Sequence, residues 1–343
     1  MSITYKDAGV NIDAADAAKS RMKALVESTR TPGVIGGIGS FGGLFAPGFA
    51  GLAEPVLVAS ADGVGTKLKV AFMTGRHDTV GIDIVCHCAN DILVQGAAPL
   101  FFLDYLALGH LTPDVVVAVV AGVSEGCRRA GCALLGGETA EMPDFYARGE
   151  YDLAGFIVGI VDRPAILDGS RVRPGDVVLG LASDGLHTNG YSLARKALFE
   201  AAGYEVDTVV DGLNEPLGDA LLRSHRCYAA PVLPLLKDGS IHGMAHITGG
   251  GLLDNIPRSL PEGCGVRIDS STWNVPAIFR VIQEAGDVPE EEMRRAFNMG
   301  IGMALMVDAD AADGLTEKLS AAGETVYRIG EVVAGAHHVE IRP

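Results

Sequence analysis

The stretch from Val56 to Phe72 reads VLVASADGVGTKLKVAF. An apolar, strand-like run ends at Ser60, and Asp62, Gly63, Gly65, Thr66 and Lys67 follow before apolar residues resume. Asp-Gly is a common turn pair, so a tight turn ahead of a capped helix is one reading. The other is a place where polyphosphate and a divalent cation meet. Glycines let backbone N–H groups face an anion, and a helix start favours negative charge. Lys67 then adds a point charge and Asp62 holds a cation. The spacing is not that of a Walker loop.

Four further stretches carry chemistry-bearing residues. In GIDIVCHCANDIL, Asp83, His87 and Asp91 fall at i, i+4 and i+8, near one helical face. An aspartate inside an apolar helix needs a partner unless it faces water, and His87 reads more readily as a core or capping histidine than as a ligand. In GGETAEMP, Glu138 and Glu141 at i, i+3 suit a shared cation or proton, or else the first turn of a capped helix. SDGLHTNGYSL sets His187, Thr188 and Asn189 in a glycine-flanked loop, a pattern that suits binding. AHITGGGLLDN places His246 and Thr248 just before a glycine-rich helix start at Gly250, as a site for a monoester phosphate would. Gly37, Gly39 and Gly42 have dinucleotide-fold spacing, but they precede a strand instead of following one, so that assignment fails on context.

The elements around these residues alternate. A helix over 14–29 precedes residues 31–51, whose eight glycines and two prolines predict a long flexible loop. Strand signals lie at 55–61, 99–108 and 151–163. A strand end and then a helix from about Asp83 occupy 78–97. Thr112, Pro113 and Gly131 bound a second helix. A strand from Cys132 is expected to break at Gly136-Gly137. Polar turn residues at 168–178 mark a domain boundary. Beyond it, DVVLGLASDGLHTNGYSLARKALFE repeats the order strand, Asp-Gly turn, helix, and a strand, helix and strand close the chain. The class is α/β or α+β, in two domains.

Composition excludes several functions. Net charge is −16, which disfavours nucleic acid as a partner. The longest apolar run, Val115 to Val123, is too short to span a bilayer, and the N-terminal residues lack a signal-peptide core. Six scattered cysteines show no zinc spacing, and CHC at 86–88 reads as core filling. A soluble, cytoplasmic protein is expected.

Taken together, TYKDAGVNID (4–13), DGVGTKLKVA (62–71), GIDIVCHCANDILVQGAAPLFFLDYLA (81–107), GGETAEMP (136–143), HTNGYSL (187–193) and HITGGGLLDNIPR (246–258) resemble the phosphoribosylformylglycinamidine cyclo-ligases, and in order. The resemblance implies an N-terminal ATP-binding and dimerisation domain over 1–167, whose strands complete a β-barrel in a homodimer, and a C-terminal α/β layer domain over 168–343. It implies ATP, Mg²⁺ and a small ribonucleotide as ligands, with no nucleic acid and no membrane. Asp62, Asp91 and Glu138 are the expected metal ligands. Gly37, Gly39, Gly42, Gly63, Gly65, Thr66 and Lys67 are expected at ATP. His246, Thr188, Asn189, Thr248 and Gly250 are expected at the ribonucleotide. His187, then Glu141, is the expected proton-transfer group, with Lys67 assisting phosphoryl transfer. The glycine segment 36–45 would close over the triphosphate with Phe41 or Phe45 excluding water. Asp144 stands where glycine is usual and His87 where an apolar residue is usual. Selenophosphate synthetase, a sibling, carries a reactive Cys near its N-terminus; the first cysteine here is Cys86.

Overall fold

In a computed structural model the described residues are 11–37 and 42–342. The N-terminal unit holds a small hairpin, β1 (Val34–Ile35) and β2 (Leu44–Phe45), and a four-stranded sheet of β3 (Pro55–Gly63), β4 (Ala98–Leu108), β5 (Ala133–Glu141) and β6 (Tyr151–Asp162). Its order is β3-β6-β4-β5, antiparallel except for the β4–β5 pair. Alternation along β6 explains its sidedness: Tyr151, Leu153, Ile157 and Val161 are buried, whereas Phe156 on the other face is 47% exposed. Four helices belong to this unit, α1 (Ile12–Glu27), α2 (Lys67–Thr74), α3 (Asp78–Leu93) and α4 (Pro113–Ala130). The backbones of α3 and α4 touch where they cross. A Cβ on Gly81 would lie 2.3 Å from the Val119 carbonyl, and one on Gly122 would lie 2.2 Å from that of Asp78.

The second unit is a six-stranded sheet of β7 (Val177–Ala182), β8 (Ile241–His246), β9 (Cys264–Asp269), β10 (Ile301–Val307), β11 (Val326–Ala334) and β12 (Val339–Arg342), in the order β12-β9-β11-β7-β10-β8. Only the β12–β9 pair is parallel. Both faces are covered, so β7 and β10 are continuous apolar runs with no alternation. Helices α5 (Tyr191–Arg195), α6 (Leu217–Leu221), α7 (Ala229–Val232), α8 (Gly251–Asn255), α9 (Ala277–Gly286), α10 (Glu290–Ala296) and α11 (Ala312–Ala321) complete it. One apolar cluster joins the units: Val64 and Leu68 share it with Tyr191, Leu217, Phe279 and Phe297. Among the described residues no helix is long and apolar enough to cross a membrane.

The mixed α/β class holds, and among the described residues no closed barrel forms; the four-stranded sheet ends at two edge strands. Three expectations change. Helix α3 begins at Asp78, because the β-branched residues before Asp83 face α4 and the sheet instead of forming a strand. Strand β5 runs through Gly136-Gly137, where Gly137 makes room for the Asp104 carboxyl; a Cβ there would lie 2.1 Å from its Oδ1. The 31–51 loop contains the β1–β2 hairpin. Asp144 has φ of 65°, so the site that usually carries glycine keeps its left-handed backbone here.

Candidate functional site

Asp62, His87, Asp91 and His246 meet where the two units join. Strand β3 delivers Ser60 and Asp62, α3 delivers His87 and Asp91, and β8 ends on His246. The Asp62 carboxylate lies 2.9 Å from His87 Nε2. His87 Nδ1 is 2.7 Å from Thr188 Oγ1. Thr188 Oγ1 is 3.3 Å from His225 Nδ1, and His225 Nε2 is 3.0 Å from His246 Nε2. His246 Nδ1 lies 2.8 Å from Asp91 Oδ1, whose second oxygen accepts from Ser60 Oγ at 3.0 Å.

Proton counting orients this chain in one direction. Asp91 only accepts, so His246 donates through Nδ1–H and accepts at Nε2 from His225. His225 then accepts at Nδ1 from the Thr188 hydroxyl, which accepts in turn from His87 Nδ1–H. His87 also donates to Asp62, which makes it the charged member. The electrostatics agree. Burial opposes the charge on His87, but the Asp62 hydrogen bond and the charges of Asp91 and Asp62 outweigh it and hold its pKa above the ordinary value. Burial, aided by neighbouring positive groups, keeps His187 and His225 well below it.

One cavity opens beside Asp91 and another lies at the far edge of the four-stranded sheet. A cleft of about 600 Å³ between the units is lined by Ser60, Asp91, Gln95, His246, Thr248 and Arg258. A second cavity of about 720 Å³ lies at β5, under α1 and the glycine hairpin, and takes in Gly37, Gly42, Gly43, Asp104 and Glu138. Gly39 and Phe41 lie outside the described residues. Phe45 lies against Phe101 with ring centroids 5.2 Å apart and planes tilted by 46°, so it packs the hairpin.

Several expected residues do other work. Lys67 is fully buried; its Nζ donates to Asp83 Oδ1 at 2.9 Å and to the carbonyls of His187 at 3.1 Å and Arg223 at 2.7 Å, with Asp83 Oδ2 at 2.8 Å in the same ion pair. It reaches neither cavity, and all its donors are used. Thr66 Oγ1 lies 3.0 Å from Ser192 Oγ, and the Gly63 N–H donates to the Asp62 carboxylate; Gly65 takes the left-handed turn at φ of 71°. His187 is fully buried, stacked 4.0 Å from His225, and its Nε2 accepts from the Asp184 N–H at 3.1 Å. It lines neither cavity. Glu141 accepts from the backbone N–H groups of Asn11 and Leu111, each at 2.7 Å, with His110 at 3.1 Å. It pins the start of α1 to the β4–α4 loop and has no room for proton transfer. The Thr188 hydroxyl is taken by two histidines.

Asn189 and Thr248 fare differently. Asn189 Nδ2 is buried with no partner among the described residues, and Thr248 stays on the cleft wall. Gly250, at φ of 95°, opens only the short α8. Glu138 is far from Asp62. Asp62, Gly155, Asp104 and Gly137 form one register row across the sheet. That row spans three strand spacings, about 14 Å.

The sequence reading missed His225, Arg258 and Asp104. His225 follows Ser224 in a stretch without motif spacing; Arg258 ends the last quoted motif and Asp104 sits inside a longer one.

Comparison with known proteins places this geometry. Residues 50–161 match AIR synthase related protein, N-terminal domain, and residues 173–342 match its C-terminal domain. The chain is 54% identical over 342 residues to the phosphoribosylformylglycinamidine cyclo-ligase of Geotalea daltonii, covering 99% of this chain and 98% of that one. It is 53% identical over 341 residues to the enzyme of the same name from Pseudothermotoga lettingae, covering 99% and 100%. Among solved structures, thiamine-monophosphate kinase from Stenotrophomonas maltophilia superposes with a TM-score of 0.69 at 20% identity over 95% of both chains. The hydrogenase maturation protein HypE in complex with ATP gives 0.62 at 18% identity, over 94% of this chain and 90% of that one. These two likenesses show the fold alone.

Proposed function

The chain belongs to the family of phosphoribosylformylglycinamidine cyclo-ligases, and from that membership we propose where its reaction is carried out. The reaction is the ATP-dependent cyclisation of formylglycinamidine ribonucleotide to aminoimidazole ribonucleotide in purine biosynthesis, releasing ADP and phosphate. Identity above one half over nearly the whole chain carries this conclusion. A formamide oxygen is a poor leaving group. Transfer of the γ-phosphoryl group of ATP to it gives an iminophosphate; the amidine nitrogen attacks the activated carbon, the ring closes and phosphate leaves with the former formyl oxygen.

In our reading the ribonucleotide occupies the cleft of Asp91, His246, Thr248 and Arg258. Asp91 holds His246 through Nδ1–H, and because His246 Nε2 already accepts from His225, a proton given up as the ring closes would enter the histidine chain at this Asp91–His246 pair. His187 supports that arrangement from behind, by stacking on His225. ATP occupies the cavity at β5, with its purine toward α1 and its phosphates toward Gly37, Gly42 and Gly43. The domain division falls near residue 168.

Asp62 and Asp91 suit Mg²⁺: their side chains are 43% and 29% exposed and Asp91 lines the cleft, while β5 of the same chain lies about 14 Å away across the sheet, so the triphosphate that meets this ion would come from the β5 edge of a second copy. Mg²⁺ takes one or two carboxylates and completes its shell with phosphate and water, and it would neutralise charge developing on the transferred group. Glu138 lies on the opposite edge strand, so it joins that ion only from a second copy. A second copy also supplies what the open sheet lacks. Leu57 and Phe156 are 61% and 47% exposed on its bare face, and β3 and β5 are unpaired edges. We therefore read the protein as a cytoplasmic homodimer.

Asp91→Asn tests the metal assignment. It keeps size and removes charge, so turnover falls at least tenfold and the Mg²⁺ requirement rises while the melting temperature barely changes. Unaltered Mg²⁺ dependence would remove Asp91 from the ion.

A further inference from the structure

The cavity at β5 holds one polar group that the reaction as described does not use. Asp104, on β4, is 8% exposed and lines that cavity. No described residue donates a side-chain hydrogen bond or an ion pair to its carboxyl. The walls on that side of the sheet are mostly apolar, with Ala15, Ala18 and Met22 from α1 and Val116 and Val120 from α4; Lys19 of α1 also lines the cavity, and its ammonium makes no ion pair with Asp104. A Cβ at residue 137 would lie 2.1 Å from Asp104 Oδ1, so the glycine is what lets the carboxyl lie flat against β5 and present its edge to the cavity. A buried carboxyl whose hydrogen bond comes from its own backbone N–H alone is costly unless a ligand completes it.

We propose that Asp104 reads the base of ATP, its carboxyl pairing with the 6-amino group of adenine and an adjacent ring nitrogen. This rests on the placement of ATP in that cavity. A largely apolar cavity of this size, with a few polar groups of which Asp104 is the one set among the apolar side chains of α1 and α4, suits a purine. Adenine offers an amino donor beside a ring-nitrogen acceptor. A protonated carboxyl matches both, accepting through its carbonyl oxygen and donating through its hydroxyl. Burial, helped by the nearby charge of Glu138, lifts the Asp104 pKa to about 7, so the protonated form is accessible at neutral pH.

The test compares ATP with purine riboside triphosphate, which lacks only the 6-amino group. Wild-type enzyme should show a KM ratio of roughly tenfold to a hundredfold in favour of ATP, the range expected for one buried hydrogen bond. Asp104→Leu should bring the ratio close to one, mainly by weakening ATP; if it does not fold, Asp104→Ser replaces it. Asp104→Asn retains a neutral acceptor and donor and should keep most of the ratio. Equal use of the two nucleotides by wild-type enzyme, or an unchanged ratio without the carboxyl, overturns the proposal. Ala18→Trp separates the two readings, since it fills the cavity. If it raises the KM for ATP while the Asp104 variants leave the ratio unchanged, only base reading fails. If it leaves the KM for ATP unaltered, the cavity is not the nucleotide site.

Discussion

Lys67 Nζ lies 2.8 Å from the Asp83 carboxylate, and neither side chain reaches solvent. Burial pulls the ammonium pKa down and the carboxyl pKa up, each opposed by the other's charge. Two carbonyls from the second unit complete the ammonium's shell, so the pair fastens α2 and α3 to that unit. Removing one partner strands a buried charge. Lys67→Met or Asp83→Asn should each cost roughly 3–5 kcal/mol in urea unfolding, and their combination less than the sum. A stable Lys67→Met enzyme with a selectively raised KM for ATP would instead return Lys67 to the nucleotide.

This pair also shows where sequence reading stops. The turn at Asp62 and the helix start near Lys67 are legible, because Gly, Asp and a hydroxyl carry local backbone information. The fate of the lysine is not, since its carbonyl partners lie 120 and 156 positions away along the chain. Glu141 is a similar case, with its acceptors filled by Asn11 and Leu111. Asp62 and Asp91 were legible as a pair of acids and His246 as part of a separate anion site; that His246 bonds Asp91 was not legible, nor was His225, which joins His246 to Thr188 and had no spacing to mark it. Helix α3 was misread at its start because apolar β-branched residues look alike in a strand and in a helix buried all round.

The buried imidazoles make a prediction for stability against pH. His187 and His225 are held neutral, with folded pKa values well below 6.5. Their contribution is full above pH 6.5, where neither folded nor unfolded chain binds the proton. It is lost as pH falls below 6.5, because the unfolded chain then takes up protons that the folded one refuses. The slope approaches about 1.4 kcal/mol per pH unit for each group. His87 acts oppositely: its raised folded pKa stabilises below 6.5 and that benefit fades as pH rises through the folded value. Urea midpoints between pH 7.5 and 5 should therefore drop less steeply for His225→Gln than for wild type. Parallel curves would contradict buried neutral imidazole at 225.

Association should depend on the bare face of the four-stranded sheet. Leu57→Asp and Phe156→Asp each place a charge on it without touching the buried side. Sedimentation of the wild type should give twice the chain mass of 35.6 kDa, and either variant should shift toward the single chain with loss of turnover. An active wild-type monomer at micromolar concentration would defeat the shared-barrel reading.

The central claim is chemical: ATP activates the formyl oxygen, and that oxygen leaves as part of phosphate. Substrate carrying ¹⁸O at the formyl position decides it directly. With ATP and Mg²⁺ the enzyme should deliver one labelled oxygen into each phosphate released, in step with ADP and aminoimidazole ribonucleotide. Unlabelled phosphate, with the heavy oxygen recovered in water, would show that ring closure does not pass through a phosphorylated formyl group.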